Sequence, residues 1–296
     1  MSGKTSLWKD TGLVLEGGGI RCIYTAGVLD FFIKKKIEFP YICAVSGGTF
    51  HAMSYLTKQR GRSRNINLYF SGDSRYLSTK RLLTKGDIFN FDFIYGEMAE
   101  DLLPFDFEGY MNCPHEMVMV TTNCLTGKAE YFYKNKMDLE GTRLATIASS
   151  SIPLMANMAY INGVPYMDGT EVDPIPIKKS IADGFRKNVL ILTRNAGYRK
   201  KPEKLVDFLS EIKYRKYPEF VRTIKERPAL YNETLDFVEE EERAGRAFVF
   251  RPRKPVQVSR TEKNKRKLAA FYMEGFNEAK ERYEELMRFL ERSSED

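Results

Sequence analysis

Short apolar runs alternate with amphipathic stretches in the first part of the chain. Gly12–Leu15 is a β-prone run that stops at a glycine-rich turn, and Ile23–Lys36 then has the pattern of a helix ending in three lysines. The arrangement repeats at once, with Tyr41–Val45 as a buried strand and Thr49–Gln59 as a helix. Two consecutive strand-to-helix units favour a parallel sheet.

The same pattern continues through the middle of the chain. Further strands are predicted at Met117–Thr122, Ala129–Tyr133, Met158–Ile161, Val164–Met167 and Val189–Thr193. Asn162-Gly163, between the third and fourth of these, is the strongest short signal for a β-hairpin. Gly141–Ser150 is predicted to be a helix stopped by Pro153. We expect Val189–Thr193 to be the last strand of the main sheet.

Residues 65–110 are rich in Phe and Tyr without a clean period. The aromatic positions include Phe89, Phe91, Phe93, Tyr95, Phe105 and Phe107. They could form a lid over an apolar site or simply fill a core. Because aromatic side chains are ordinary core residues, packing is the preferred interpretation.

Charge density rises after Lys200. Residues 201–245 have a helical pattern, Ala247–Arg251 is a predicted strand, and Thr261–Arg292 is predicted to be one long helix with a single apolar stripe. Docking of this stripe on the main domain is favoured over a coiled-coil dimer, which would need more heptads. We therefore expect a main domain at residues 1–200 and a mostly helical extension at 201–296 packed on it.

Composition narrows the functional classes. The 296 residues are 43% hydrophobic and 29% charged, as in ordinary globular proteins, and no apolar run approaches the ~20 residues of a membrane helix. Met1–Asp10 lacks the features of a signal peptide, so we expect a cytoplasmic location. The net charge of +7 is spread along the chain without a nucleic-acid-binding motif, so no nucleic-acid partner is expected. The four cysteines form no Cys-x-x-Cys pair and are expected to be free thiols rather than metal ligands.

A serine stands at the end of the second predicted strand. Ser46 follows Tyr41–Val45 directly and precedes Gly47-Gly48 and a helix. A strand running into a glycine-flanked serine forces the hydroxyl onto a strained turn at the carboxyl end of the sheet, where ligands bind in open α/β folds. Ala44 stands where the usual Gly-x-Ser-x-Gly pattern has its first glycine. A helix-capping serine is the alternative interpretation.

The turn after the first strand reads Glu16-Gly17-Gly18-Gly19-Ile20-Arg21. Residues without side chains let backbone N–H groups converge on one point, and the following helix N-terminus adds positive potential. Such a loop suits an oxyanion or a phosphate. The P-loop spacing is absent and Cys22 replaces the third glycine of the dinucleotide-binding pattern. A tight turn without function is the alternative.

The base that would activate the serine is not an obvious histidine. The chain has only His51 and His115, and neither has the late position of the base in an α/β-hydrolase triad. His51 is interpreted as a helix-packing or surface residue. A carboxylate within about 3 Å can do the same work. Asp168, at a predicted strand end and followed by Gly169, is the candidate, with a turn aspartate as the alternative.

Taken in order, these elements resemble the patatin-like phospholipase family, in its bacterial intracellular branch. The family's Gly-Gly-Gly-x-Arg-Gly loop, Gly-x-Ser-x-Gly elbow and Asp-Gly-Gly/Ala motif correspond to residues 17–22, 44–48 and 168–170. A small-residue segment that ends in proline corresponds to residues 148–153. The resemblance covers about residues 12–195.

The resemblance implies a three-layer α/β/α fold with a mostly parallel central sheet, and hydrolysis of lipid acyl esters without a metal or cofactor. It makes Ser46 the nucleophile, Asp168 the base, and the backbone N–H groups of Gly17–Gly19 the oxyanion hole. Supporting positions are Arg21, Gly48 and Gly169.

Each of the three motifs lacks one small residue, at Cys22, Ala44 and Thr170. Extra side chains there could displace the oxyanion donors, which would cost several kcal/mol of transition-state stabilisation. We expect an active hydrolase of a lipid or acyl ester. The alternatives are a lipid-binding or regulatory protein without turnover and, more remotely, a phosphate or nucleotide binder. Transient contact with a membrane surface, the identity of the ester and the oligomeric state are left open.

Overall fold

The computed structural model describes residues 6–292, so the first half of the segment Met1–Asp10 and the last four residues lie outside it. The strands are β1 (Ser6–Leu7), β2 (Thr11–Leu15), β3 (Ile37–Glu38), β4 (Tyr41–Val45), β5 (Glu116–Asn123), β6 (Lys128–Tyr133), β7 (Ala159–Ile161), β8 (Val164–Asp168), β9 (Lys187–Ile191) and β10 (Ala247–Phe250). The helices are α1 (Ile23–Lys35), α2 (Gly47–Leu56), α3 (Arg62–Phe70), α4 (Thr79–Lys85), α5 (Phe91–Tyr95), α6 (Phe107–Asn112), α7 (Leu139–Ser150), α8 (Ile177–Ala182), α9 (Lys204–Lys213), α10 (Pro218–Arg243), α11 (Lys265–Glu281) and α12 (Tyr283–Glu291).

Eight strands form the central sheet in the order β10-β9-β2-β4-β5-β8-β7, with β6 also paired to β5. The neighbours from β10 to β5 are parallel, whereas β6, β7 and β8 pair antiparallel. Strands β2, β4 and β9 are buried along their whole length, as expected for a parallel sheet covered on both faces. The predicted α/β architecture is confirmed.

Helices cover the sheet on both sides. Leu13 and Leu15 of β2 point into a core shared with α1, α2 and α11, while Val14 between them points into a core shared with α8 and α10. Alternation along one strand therefore feeds two apolar layers. This is the three-layer α/β/α arrangement that the resemblance implies.

The Asn-Gly pair forms the predicted hairpin between β7 and β8. Asn162 and Gly163 have φ angles of 51° and 77°, which are the two positive values that a type I′ turn requires. The turn sets Ile161 opposite Val164 and brings the end of β8 to Asp168. A local sequence signal therefore determines how β8, the strand that ends in this carboxylate, pairs with β7.

The C-terminal apolar stripe packs on α1. A Cβ added to Gly27 of α1 would lie 2.1 Å from the carbonyl oxygen of Tyr272, and one added to Gly275 of α11 would lie 2.2 Å from that of Tyr24. The two backbones therefore touch where each helix presents a glycine. None of the helices between residues 6 and 292 is long and apolar enough to cross a membrane.

Two expectations about the C-terminal half are corrected. The predicted strand Val189–Thr193 is not the last of the sheet, because β10 pairs with it along its outer edge. The predicted helix Thr261–Arg292 is two helices that meet at Arg282. The Arg282 guanidinium lies 4.3 Å from the ring centre of Phe248 and donates a 2.7 Å hydrogen bond to the carbonyl of Val249, which ties the break to β10.

Replacing Gly275 with alanine tests the close helix contact. We expect Gly275→Ala to lower the free energy of unfolding by about 1–3 kcal/mol, because the added methyl group overlaps the Tyr24 carbonyl even though alanine favours helices. Urea denaturation measures the change. Gly72→Ala is the matched control, since an added Cβ there meets no atom within 4 Å. Equal stability of the two variants would contradict the contact.

Candidate active site

Strand β5 brings the candidate serine and aspartate together. On one edge of β5, Val45 of β4 lies opposite Val120, and Asp168 of β8 lies opposite the next residue, Thr121. Strand β6 pairs along the other edge, so β8 continues the edge that β4 leaves. Ser46, the residue after Val45, therefore turns out of the sheet beside Asp168.

Ser46 has a strained backbone. Its φ of 55° and ψ of −130° are unusual for a residue with a side chain and cost about 1–3 kcal/mol, which the surrounding structure must offset. The Ser46 N–H donates a 2.9 Å hydrogen bond to Oγ of Ser149, and Ser46 Oγ donates a 2.7 Å hydrogen bond to Oδ2 of Asp168. Ser46 is 3% exposed and Asp168 is 1% exposed. The pair is thus shielded from bulk water at the carboxyl end of the parallel strands.

The second oxygen of Asp168 is also held. Oδ1 accepts a 2.8 Å hydrogen bond from the N–H of Thr170, and the Asp168 carbonyl accepts a 2.8 Å bond from the hydroxyl of Thr122. Burial raises the pKa of Asp168, and the hydrogen bonds from Thr170 and Ser46 offset only part of that rise. The carboxylate is therefore oriented toward Ser46 and is a better proton acceptor than a carboxylate in water.

The glycine loop lies against the serine. A Cβ added to Gly17 would lie 3.0 Å from Cβ of Ser46 and 2.4 Å from Cγ2 of Thr170, so only glycine fits. The backbone N–H groups of Gly17 and Gly18 have no hydrogen-bond acceptor among residues 6–292. Gly19 adopts a left-handed φ of 58°. Two free donors beside a buried hydroxyl suit an oxyanion.

The supporting positions pack around these groups. A Cβ added to Gly48 would lie 3.1 Å from the Glu16 carbonyl oxygen, and one added to Gly169 would lie 2.3 Å from that of Val120. Arg21 is buried and lines the cavity in front of Ser46.

The three departures from the family pattern leave the hydrogen-bonded pair of Ser46 and Asp168 intact. Cys22 is buried and its Sγ lies 3.6 Å from the Glu16 carbonyl, Ala44 is buried within β4, and the Thr170 methyl group fills the space beside Gly17. All three side chains are accommodated while the hydrogen bond between Ser46 and Asp168 stays at 2.7 Å.

Two cavities meet at Ser46. A polar cavity contains the glycine loop and Asp168, and an apolar one extends toward α5; they enclose about 450 Å³ and 620 Å³ of space, part of it open to solvent. The apolar cavity is lined by Ile20, Phe50, Ile66, Tyr76, Phe89, Phe91, Ile94 and Met98. The preferred interpretation of core packing holds for the buried Phe93 and Tyr95 and for Phe89 and Phe91, which pack against the core. Phe89 and Phe91 also line the apolar cavity, as the alternative interpretation expects.

Neither histidine is arranged as a base for Ser46. His51 is buried beside the apolar cavity, its Nδ1 has no hydrogen-bond partner among the described residues, and burial lowers its pKa to about 4. His115 lies 3.0 Å from Glu38. It precedes Glu116, which pairs with Tyr41 at the amino end of β4, so it lies at the opposite end of the sheet from Ser46.

Sequence reasoning missed most of the polar cavity. Its walls also contain Arg194, Tyr198, Lys200, Arg227, Tyr231 and Arg260. Glu16 is fixed there by a 2.6 Å hydrogen bond from the Tyr231 hydroxyl and by another from the Thr193 N–H. These residues follow no motif and reach the cavity from separate segments, so the sequence offers no local signal for them.

Comparison with known proteins gives one family model that matches more than half of the chain. A family model described as patatin-like phospholipase matches residues 13–181, and a model of a domain of unknown function, DUF6363, matches residues 217–291. The uncharacterized protein YjjU of Escherichia coli K12 is 24% identical over 249 residues, which covers 82% of this chain and 69% of that protein. The crystal structure of VipD from Legionella pneumophila superposes with a TM-score of 0.47 at 11% identity, covering 95% of this chain and 67% of that one.

The raised pKa of Asp168 predicts a stability effect with a defined sign. The folded protein binds this proton more tightly than the unfolded chain, so the charged carboxylate costs stability at pH values above the raised pKa. This cost fades as the pH falls from the raised pKa and is gone below about 4. We expect Asp168→Asn to raise the melting temperature at pH 8 and the gain to vanish in acid. The exposed Asp101→Asn is the control and should change little. A lower melting temperature for Asp168→Asn at pH 8 would contradict this account.

Proposed function

Since the chain belongs to the patatin-like phospholipase family, we propose that it is a serine lipid acyl hydrolase in which Ser46 is the nucleophile and Asp168 is the general base. The observation that carries the proposal is the buried 2.7 Å hydrogen bond from Ser46 Oγ to Asp168. The hydroxyl needs a base within hydrogen-bond reach to become a nucleophile, and neither histidine is arranged to provide one.

The first half of the reaction forms an acyl-enzyme. Ser46 Oγ attacks the ester carbonyl while its proton moves to Oδ2 of Asp168, and the carbonyl oxygen becomes an oxyanion. The free N–H groups of Gly17 and Gly18 would stabilise this charge beside the buried Ser46 and Asp168 side chains. When the intermediate collapses, the bond to the leaving alcohol breaks and Asp168 returns the proton to the alcohol oxygen.

The second half releases the fatty acid. A water molecule attacks the acyl-enzyme, Asp168 accepts one of its protons, and the same N–H groups stabilise the second oxyanion. Collapse breaks the bond to Ser46 Oγ, which takes the proton back from Asp168. Both halves of the reaction use the oriented carboxylate, the strained serine and the donors of the glycine loop, and the second half also uses one water molecule.

The apolar cavity supports an acyl substrate. It begins at Ser46 and Gly47 and is lined by aromatic and aliphatic side chains, among them Phe89 and Phe91. Burial of each methylene group is worth about 0.8 kcal/mol, so a hydrocarbon chain would be bound by this surface rather than by hydrogen bonds. We infer that the acyl chain occupies this cavity while the ester carbonyl lies at Ser46.

Helix α9 supports contact with a membrane surface. Leu205, Phe208 and Ile212 are each more than half exposed and recur at the spacing of one helical face, with Leu209 beside them. Residues 199–216 around them contain seven Lys and Arg against three Asp and Glu. An exposed apolar face with basic flanks fits the interface of an anionic bilayer.

The position of α9 relates this surface to the site. The hydroxyl of Tyr214, directly after α9, accepts a 2.8 Å hydrogen bond from the N–H of Leu154. Leu154 lies two residues after Ile152, and Ile152 lines both cavities at Ser46. We propose that α9 rests on anionic lipid and holds the cavities near their substrate.

Variants of the two reacting residues test the activity. We expect Ser46→Ala and Asp168→Asn each to reduce ester hydrolysis by about 10⁴-fold, because each removes a group that takes part in every proton transfer. A fluorophosphonate probe located by peptide mass spectrometry should label Ser46 in the unmodified protein and lose that label in Asp168→Asn. Absence of label on the folded, unmodified protein would favour the lipid-binding alternative without turnover.

Substitutions on α9 test the membrane surface. We expect Leu205→Gln/Phe208→Gln to weaken binding to vesicles of equal parts phosphatidylglycerol and phosphatidylcholine by at least about tenfold, because each side chain contributes apolar burial. Co-sedimentation measures the binding. Met273→Gln, which removes an exposed apolar side chain on α11, is the control. Unchanged binding by the α9 variant would exclude this helix as the contact.

A further inference from the structure

Five cationic side chains converge on the polar cavity in front of Ser46. This cationic cluster consists of Arg21, Arg194, Lys200, Arg227 and Arg260. The side chains come from the glycine loop, the segment after β9, helix α10 and the segment before α11. Four separate segments of the chain therefore contribute positive charge to the same cavity.

Of the four carboxyl groups near the cluster, Asp168 is occupied by the hydrogen bonds from Ser46 and Thr170. Glu16 is occupied by the hydrogen bonds from Thr193 and Tyr231, and its pKa is raised by burial. Glu171 lies 3.0 Å from Arg227, and Glu203 lies 3.0 Å from Lys200. Two of the five cations thus have carboxylate partners.

The other three arginines have no carboxylate partner among the described residues. Arg21 is 6% exposed, and its Nε has no hydrogen-bond partner in that part of the chain. Arg194 lies 4.5 Å from the ring centre of Tyr198 rather than beside an acid. A buried guanidinium without partners is costly, so the arrangement is that of a site whose partner is an anionic ligand.

Burial and repulsion within the cluster lower the pKa values of two of its members. Burial, followed by the charges of Arg194 and Arg260, lowers the pKa of Arg21 to about 10. Burial, followed by the charges of Arg227 and Arg260, lowers the pKa of Lys200 to about 8. A bound anion would relieve both effects, because it would favour the charged form of each side chain.

We propose that the cationic cluster binds the phosphate of an anionic lipid headgroup and so selects acyl esters that carry one, with the acyl chain in the apolar cavity and the ester at Ser46. This inference rests on the proposed hydrolase function. It adds a specificity site to the reacting pair: Arg194 and Lys200 lie between the two matched regions, and Arg227 and Arg260 lie within residues 217–291, which the DUF6363 model matches.

The cluster also disfavours other headgroups. A choline group would bring a fixed positive charge toward these arginines, and the face of Tyr198 that could hold such a group is covered by Arg194. An uncharged glycerol headgroup would leave the guanidinium groups unpaired. We therefore expect lysophosphatidate to be preferred over lysophosphatidylcholine and monoacylglycerol with the same acyl chain.

Kinetics with these three matched esters test the specificity. In the unmodified protein, kcat/KM for lysophosphatidate should exceed that for monoacylglycerol by at least about tenfold. Arg194→Gln/Arg260→Gln should reduce this ratio about tenfold or more, mainly through KM for lysophosphatidate. Arg186→Gln, which removes an exposed arginine just before the amino end of β9 and outside the cavity, should leave the ratio unchanged. Equal rates on all three esters, or a ratio kept by the double variant, would overturn the inference.

Binding to an inactive variant separates this inference from the proposed reaction. Titration calorimetry of Ser46→Ala should detect glycerol phosphate but not glycerol, and adding Arg194→Gln/Arg260→Gln should abolish the signal. No signal with glycerol phosphate would overturn the headgroup site whether or not esters are cleaved. Binding of inorganic phosphate without any preference among the lipid esters would also overturn it, since the site would then serve free phosphate.

The two single variants guard against misfolding of the double variant, which circular dichroism would reveal. Arg194→Gln and Arg260→Gln should each lower the substrate ratio in part. If the unmodified protein hydrolyses none of the esters while Ser46→Ala still binds glycerol phosphate, the catalytic proposal is refuted and the anion site is supported.

Discussion

The arrangement of the candidate site depends on how two strands share one edge of β5. Strand β4 pairs with β5 as far as Val120 and then leaves the sheet at Ser46, and β8 takes over at Thr121 with Asp168. A change of register by one residue would turn the Asp168 side chain to the other face of the sheet. The hydrogen bond between the two side chains is therefore a product of sheet pairing rather than of loop conformation. The Asn162-Gly163 turn fixes the register of β8 with its other neighbour, β7.

Local patterns explain why this part of the molecule was predictable. The runs before Gly17 and Ser46 are strands followed by helices. The residue in each turn must therefore lie at the carboxyl end of the sheet. The hairpin signal then fixed the end of β8. These features lie within a few residues of the groups they position, so propensity and spacing predicted the strand-to-helix units and placed Ser46 and Asp168 at strand ends. The three-layer arrangement and the pairing of the two residues were implied by the resemblance to the family.

Contacts between distant segments were not predictable in the same way. Arg227 and Tyr231 lie on one face of α10, which looks in sequence like any charged helix, and only its packing over the sheet turns them toward Glu16 and Glu171. Strand β10 was predicted as an element but not as a member of the central sheet, because pairing partners leave no mark in a single sequence. Phe89 is an aromatic residue of the kind that fills a core, and nothing in the sequence indicates that it borders the apolar cavity.

One contact connects two segments that are distant in sequence at the glycine loop. The carbonyl of Arg260 accepts a 3.0 Å hydrogen bond from the N–H of Ile20, and the same residue lies against Gly19. During synthesis on the ribosome, the loop and Ser46 emerge long before residue 260 does. The nascent chain therefore lacks this support until residue 260 has been synthesised, so a chain that stops before it would not have the candidate site in finished form.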